Sequence, residues 1–327
     1  MTANIIPQLR QVGSPRQGPR DALVTSFAAS IDRSLMRAVS IVVERQILPR
    51  DVDLDLLRDS IEGMFESAIS KNPGEMFSFV HQLQKVRRDV AVENSSPGRR
   101  APTGGRAYRR TLVSTYRPSP ELAPDNGHRD DRIHFEHWVH RAGREKGTVV
   151  ILHGFAMGWS SVDAKLLSAK QWYAMGMNVV LLTLPDHGPR RAPGSVFSGQ
   201  RFTVPHALQL AGAVQQAAHE IFELKAWLRE VSDKPVGLYG MSLGGYLASL
   251  CGGLSDDFDF IVPLVPPACF GDLAWRVYRE TGHHRGTEDP VLTEGNLRAA
   301  FFAHSPLAHS REIEQEKVLI VAGAGDR

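Results

Sequence analysis

Residues 240–244 read Gly-Met-Ser-Leu-Gly, a serine with a glycine two positions away on either side. An apolar run, VGLY, enters the segment, and small and apolar residues (Gly245, Ala248, Leu250) leave it with the character of a helix. A serine on so sharp a strand-to-helix turn must take a strained backbone conformation. Its neighbours at −2 and +2 must lack a Cβ to clear the flanking strand and helix. The turn lifts the Ser242 Oγ off a sheet and sets it at the positive end of a helix dipole, the setting of a nucleophile. Metal chemistry has no comparable signal. Cys251 and Cys269 are the only cysteines and form no CxxC pair, which excludes a structural zinc site of the usual spacing and a disulfide framework.

A serine so placed needs a sheet, and the pattern from about residue 109 supplies one. Residues 111–116 and 133–139 read as half-buried strands. Residues 147–152 (GTVVIL), 178–184, 236–239, 258–265 and 318–322 read as buried strands. Helices are expected around 163–175, across 207–231 and over 242–251. The later strands lack a period of two, as strands covered on both faces do. Strand–helix alternation over this length predicts an α/β protein with a doubly wound, mostly parallel sheet.

Upstream the chain changes character. Residues 1–20 are a loose arm carrying Pro7, Pro15 and Pro19. Residues 21–92 read as a helical extension, with apolar stripes at Val24, Phe27, Ile31, Leu35, Ala38 and Val42, then at Leu54, Leu57, Ile61, Phe65 and Ala68, then from Met76 to Val86. This extension offers a homo-oligomer surface or a clamp on the domain that follows. Residues 93–108 read as a basic Pro/Gly linker. Between Lys85 and Arg117 there are nine basic and two acidic residues, a local excess that attracts phosphate or an anionic surface if it is not simply a solvated face.

The 327 residues carry 38 Lys+Arg against 36 Asp+Glu, a net charge of +2, so the global charge gives no reason to expect nucleic acid. The N-terminal stretch lacks the apolar core of a secretory leader and no window is long enough to span a bilayer, which makes a cytoplasmic protein the expectation.

At Ser242 the chain resembles the α/β-hydrolase superfamily, over about residues 110–327. His153-Gly154-Phe155, directly after TVVIL, matches the glycine turn that follows the family's third strand. The resemblance implies an eight-stranded, mostly parallel sheet with cap inserts, here about 188–206 and 268–304. It implies an oxyanion hole from the backbone N–H groups of Phe155 and Leu243, with His153, Gly154, Gly240 and Gly244 shaping the two turns. In KVLIVAGAGDR, residues 317–327, Asp326 falls at the position of the family's acid, with Asp272 as the runner-up; Asp186-His187-Gly188 resembles a structural loop. Trp159, Phe197, Phe202, Trp275 and Tyr278 are candidates to line an acyl pocket.

The resemblance departs in one respect. The family's order is serine, acid, histidine, yet none of the 13 histidines follows Asp326. The expectation is a C-terminally incomplete chain that lacks the last strand, the last helix and the histidine. The alternative recruits an upstream histidine, among which His283, His284, His304 and His309 lie between the sixth and seventh strands. The function implied is a serine hydrolase of a small carboxylic ester or thioester, working without a cofactor or metal. An acyltransferase using the same acyl-enzyme and a non-catalytic binding protein on this fold are the alternatives.

Overall fold

The computed structural model describes residues 53–85, 92–98, 101, 104–122, 131–141, 143–203, 205–280, 289–310 and 312–322. Seven strands form one sheet: β1 (Val92–Pro97), β2 (Arg106–Val113), β3 (Arg132–Val139), β4 (Gly147–Leu152), β5 (Met177–Leu182), β6 (Val236–Met241) and β7 (Phe260–Leu264). Their spatial order is β1-β2-β3-β5-β4-β6-β7. β1, β2, β3 and β5 pair antiparallel in succession, whereas β5, β4, β6 and β7 run parallel.

The parallel strands are buried on both faces, and their side chains sort by alternation. Val150, Leu152, Val180 and Leu182 join one core; Val149, Ile151, Val179 and Leu181 join the other. The first core is covered by α1 (Leu54–Glu66), the short α2 (Ala68–Lys71), α3 (Phe79–Lys85) and others named below. The second is covered by α4 (Ser160–Leu166) and α5 (Ala169–Ala174). These two replace the single helix expected around 163–175, because Ser168 between them adopts φ +53°.

The long α6 (Ala207–Val231) and α7 (Leu243–Leu254) pack on the first face, joined by α8 (Phe270–Glu280) and α9 (Glu294–Ala300). Small residues let α6 approach closely; a Cβ on Gly212 would lie 2.6 Å from the Leu122 carbonyl oxygen.

Two expectations change and a third point is narrowed. Residues 92–97 are not linker but an edge strand, whose polar VENSSP pairs with β2 through the main chain and needs no buried face to do so. β2 starts and ends earlier than expected, because Ser114 and Thr115 leave the sheet to donate hydrogen bonds to Glu223. Burial pushes the Glu223 carboxyl up, but hydrogen bonds from His219 and Thr115 hold it below its ordinary range.

The third point concerns the helical extension, expected as a homo-oligomer surface or a clamp, whose described part packs within the chain. Leu57, Ile61, Met64, Met76, Phe77, Val80 and Leu83 belong to the same core as α6. The Ala207 N–H donates to Ser60 Oγ at 2.7 Å and Gln215 Nε2 donates to the Met76 carbonyl at 2.6 Å. The stretch 53–85 is therefore a clamp within the chain; the stripe over 24–42 lies outside the described residues.

Beyond β7, residues 318–321 run parallel to it through bridges Ile261↔Val318 and Leu264↔Val321. The Leu319 and Val321 N–H groups each donate at 3.0 Å, to Ile261 and Pro263 carbonyls. The buried strand expected at 318–322 is therefore corrected: only isolated bridges form, and Leu319, Ile320 and Val321 are 62%, 58% and 42% exposed. Among the described residues no helix is long and apolar enough to cross a membrane.

Candidate active site

Ser242 leaves β6 and opens α7 with φ +52° and ψ −114°, a conformation that costs a non-glycine residue about 1–3 kcal/mol. The surroundings enforce it. The Ser242 N–H donates to the Leu264 carbonyl at 2.9 Å, and the Ser242 carbonyl accepts from the Tyr246 N–H at 2.8 Å. On one side a Cβ at Gly240 would overlap the Gly244 carbonyl; on the other a Cβ at Gly244 would overlap the Leu152 carbonyl and lie 2.8 Å from the His153 oxygen. Both glycines are therefore required by close backbone approach. The Leu243 N–H is the first of α7 and has no acceptor within the helix.

The second turn stands beside the first, because β4 and β6 are neighbours and Leu152 pairs with Gly240. His153 is buried, and both its ring nitrogens are used inside the turn. Nδ1 donates to the Gly154 carbonyl at 2.9 Å, and Nε2 accepts from the Leu184 N–H at 3.1 Å. Burial drives its pKa down to about 4, so the ring is neutral. Phe155 is buried and meets the Phe197 ring edge-on at 6.0 Å. The structure thus brings Ser242, Leu243, Gly240, Gly244, His153, Gly154 and Phe155 together at the carboxyl ends of β4 and β6.

The loop after β5 holds the Phe155 turn from outside. Asp186, at φ +59°, accepts from the Ala192 N–H at 3.3 Å and the Arg201 N–H at 2.9 Å. Ser198 Oγ donates to the Met157 carbonyl at 2.5 Å and accepts from the Gly188 N–H at 2.8 Å. His187 is fully buried between the rings of His153 and Phe202, which drives its pKa well below the ordinary value. Arg190 reaches back under the loop to a bidentate pair with Glu220 of α6.

Other candidates are placed elsewhere. Phe202, expected in an acyl pocket, is fully buried beneath His187, and Trp275 stacks on buried Tyr278. Asp272 lies on α8 with Arg298 at 2.7 Å. His304 is fully buried with Nδ1 2.7 Å from the Tyr246 hydroxyl, and burial lowers its pKa to about 3. The His309 Nε2 donates to the Ala303 carbonyl at 3.1 Å. Among the described residues no histidine is hydrogen-bonded to the Ser242 Oγ. Asp326, His283 and His284 lie outside the described residues.

Asp163 is a supporting residue absent from the sequence reading. It sits in the first turn of α4, buried, with Oδ1 accepting from the Gly158 N–H at 3.4 Å. Burial raises its pKa from 3.8 to about 7 despite hydrogen bonds from the Gly158 and Trp159 backbone. Between about pH 4 and 7 the folded chain therefore keeps a proton that the unfolded chain has lost. Stability falls as pH rises through that window. Asp163→Asn is expected to abolish this component, leaving the variant more stable than wild type at pH 8 by up to about 4 kcal/mol. Urea midpoints that fall equally with pH in both proteins would contradict it.

No family model matches the chain. Two curated Mycobacterium tuberculosis proteins, the uncharacterized proteins Rv2627c (strain H37Rv) and MT2702 (strain CDC 1551), are 33% identical to it over 133 residues. The match covers 39% of this chain and 31% of each relative, so it spans about a third of the length of the curated relatives.

Similar solved structures include two acetyl xylan esterases. That of Paenibacillus sp. R4 has TM-score 0.47 and 14% identity over 84% of this chain and 95% of its own. That of Thermoanaerobacterium sp. has TM-score 0.48 and 14% identity over 85% and 95%. The S-formylglutathione hydrolase of Staphylococcus aureus has TM-score 0.38 and 12% identity over 66% and 79%.

A serine held at φ +52° after β6, a glycine turn after the neighbouring β4, and a mostly parallel sheet that reverses strand order at β5-β4 together identify the architecture: the chain has the α/β-hydrolase fold.

Proposed function

We propose that the chain is a serine hydrolase of carboxylic esters or thioesters, with Ser242 as nucleophile. The observation that carries this reading is the strained Ser242 backbone between two glycines that admit no Cβ. Strain of this kind persists only where the surroundings over-determine it, and it serves here to project Oγ at the N-terminus of α7.

In this reading the Ser242 Oγ adds to the substrate carbonyl carbon, and a histidine takes its proton. The resulting oxyanion accepts from the Leu243 and Phe155 N–H groups, and the leaving alcohol or thiol departs with the proton. Water then repeats the sequence on the acyl-enzyme and frees Ser242. Asp326 would orient the histidine. The neutral, doubly hydrogen-bonded His153 keeps the Phe155 turn in shape and is not the base.

A fluorophosphonate probe tests the assignment, since it reacts with activated serines. In a protein that carries the histidine base, the expected result is a single adduct on the peptide containing Ser242, absent from Ser242→Ala. No adduct on the wild type, or equal labelling of the variant, would overturn the reading.

A further inference from the structure

At the opposite ends of the strands lies a cavity of about 600 Å³, lined by residues 104–106, Tyr108 and 139–141. Its place follows from strand direction. Val139 ends β3 beside the start of β5, since Trp138 pairs with Val179, and Gly147 starts β4 opposite Met177. Ser242 follows the far ends of these strands. Six residues of strand, about 16 Å, separate the two places. The cavity is thus no part of the site around Ser242.

Its chemistry is cationic. Arg106 and Arg141 line it, and among the described residues no carboxylate does. Arg58, Arg190, Arg229 and Arg298 each face an aspartate or glutamate. Arg106 and Arg141 have no such partner among the described residues. Residues 104–117 contain four arginines and no acid, and of these Arg106 lines the cavity.

The walls are built rather than incidental. A Cβ on Gly105 would overlap the Tyr173 hydroxyl and lie 2.6 Å from the Val139 carbonyl oxygen, so only glycine closes this wall. Gly104, at φ +79°, turns the chain into open space. The His140 ring stacks on Tyr173 at 3.8 Å with the planes 9° apart. His140 Nε2 lies 3.1 Å from the Tyr173 carbonyl oxygen, which can only accept, so Nε2 carries the proton and Nδ1 is the nitrogen left over. The His140 N–H donates to Asn178 Oδ1 at 2.8 Å, which pins the residue from the other side.

We propose that this cavity binds a phosphate-bearing small molecule, with Arg106 and Arg141 holding the phosphate. Guanidinium forks match phosphate oxygens two at a time, and a pair of them suits a dianion better than a single carboxylate. The volume exceeds what inorganic phosphate needs and falls in the range of small-molecule sites. Tyr108 is half-buried, with the Arg110 guanidinium 4.8 Å from its ring centre.

Isothermal titration of the 327-residue chain with AMP and with inorganic phosphate tests this, alongside flotation with vesicles of phosphatidylglycerol in phosphatidylcholine. Saturable binding of AMP is expected, weakened about tenfold or more by Arg106→Ala and by Arg141→Ala and not restored by lysine at either position. Arg109→Ala, on the same strand and outside the lining, is expected to leave it unchanged, as is Ser242→Ala. Unaltered thermal melts in both alanine variants exclude loss of fold as the cause.

Vesicle binding that needs Arg106 and Arg141, without AMP binding, would keep the phosphate chemistry and assign it to a lipid headgroup. No saturable binding of either phosphate up to about 10 mM and none to vesicles, or equal weakening by Arg109→Ala, would overturn the proposal. The outcome is independent of fluorophosphonate labelling.

Discussion

Glu220→Ala will cost the chain about 3–5 kcal/mol of stability, because it strands a guanidinium in the interior. The Arg190 and Glu220 side chains are 0% and 1% exposed. The Arg190 Nη1 donates to Glu220 Oε2 at 2.7 Å and to the Thr183 carbonyl at 2.9 Å, while Nη2 donates to Glu220 Oε1 at 2.9 Å. Gln216 Nε2 donates to the same Oε1 at 2.9 Å. Neither charge can reach water, so removing Glu220 takes from a buried guanidinium the carboxylate that accepts two of its hydrogen bonds. Replacing both, as Arg190→Met with Glu220→Leu, should recover most of the loss, since a buried pair itself contributes little net stability. Urea unfolding of the two single variants and the double checks this; a single-variant loss below about 1 kcal/mol would contradict it. The pair joins the loop after β5 to α6, and that loop holds the Phe155 turn through Ser198 and Gly188. Loss of the pair should therefore slow fluorophosphonate labelling as well.

Gly244→Ala should have a comparable effect on stability and a larger one on the site. The new methyl group would fall on the main chain of β4, on the Leu152 carbonyl and 2.8 Å from the His153 oxygen. No flexible side chain can move aside, so α7 and the turn after β4 must separate. Overpacking against rigid neighbours costs about 1–3 kcal/mol or more. A displacement of about 1 Å between nucleophile and oxyanion donors costs about a hundredfold in rate. The variant should melt lower and label at Ser242 about a hundredfold more slowly. Gly295→Ala, at a position with nothing near the new Cβ, is the control and should do neither. Wild-type labelling by Gly244→Ala would show that the two turns are not coupled.

How much of this was readable beforehand depends on whether the signal was local. Gly240, Ser242 and Gly244 announce a strained turn because steric exclusion of Cβ acts between residues close in sequence. The buried parallel strands were readable from continuous apolar runs such as GTVVIL, since double-sided burial leaves no polar period. α1 was readable from its stripe, although Met64 fills the buried position while Phe65 is 37% exposed. β1 was not readable, because main-chain pairing at an edge asks nothing of the side chains of VENSSP. The break at Ser168 escaped as well, since no glycine or proline marks it.

The amino-acid sequence by itself determined the strand–helix alternation, the sharp turn at Ser242 and the glycine turn after TVVIL. Each arises from sterics or apolar burial within a few residues. Only the tertiary structure decided that Arg190 and Glu220 meet 30 residues apart, that His153 uses both ring nitrogens inside its turn, and that Asp163 holds a proton near neutral pH. It also decided that Arg106 and Arg141 share a cavity with no acid among its described lining residues. Charge compensation and desolvation depend on which distant segments the sheet brings side by side, and no spacing along the chain encodes that.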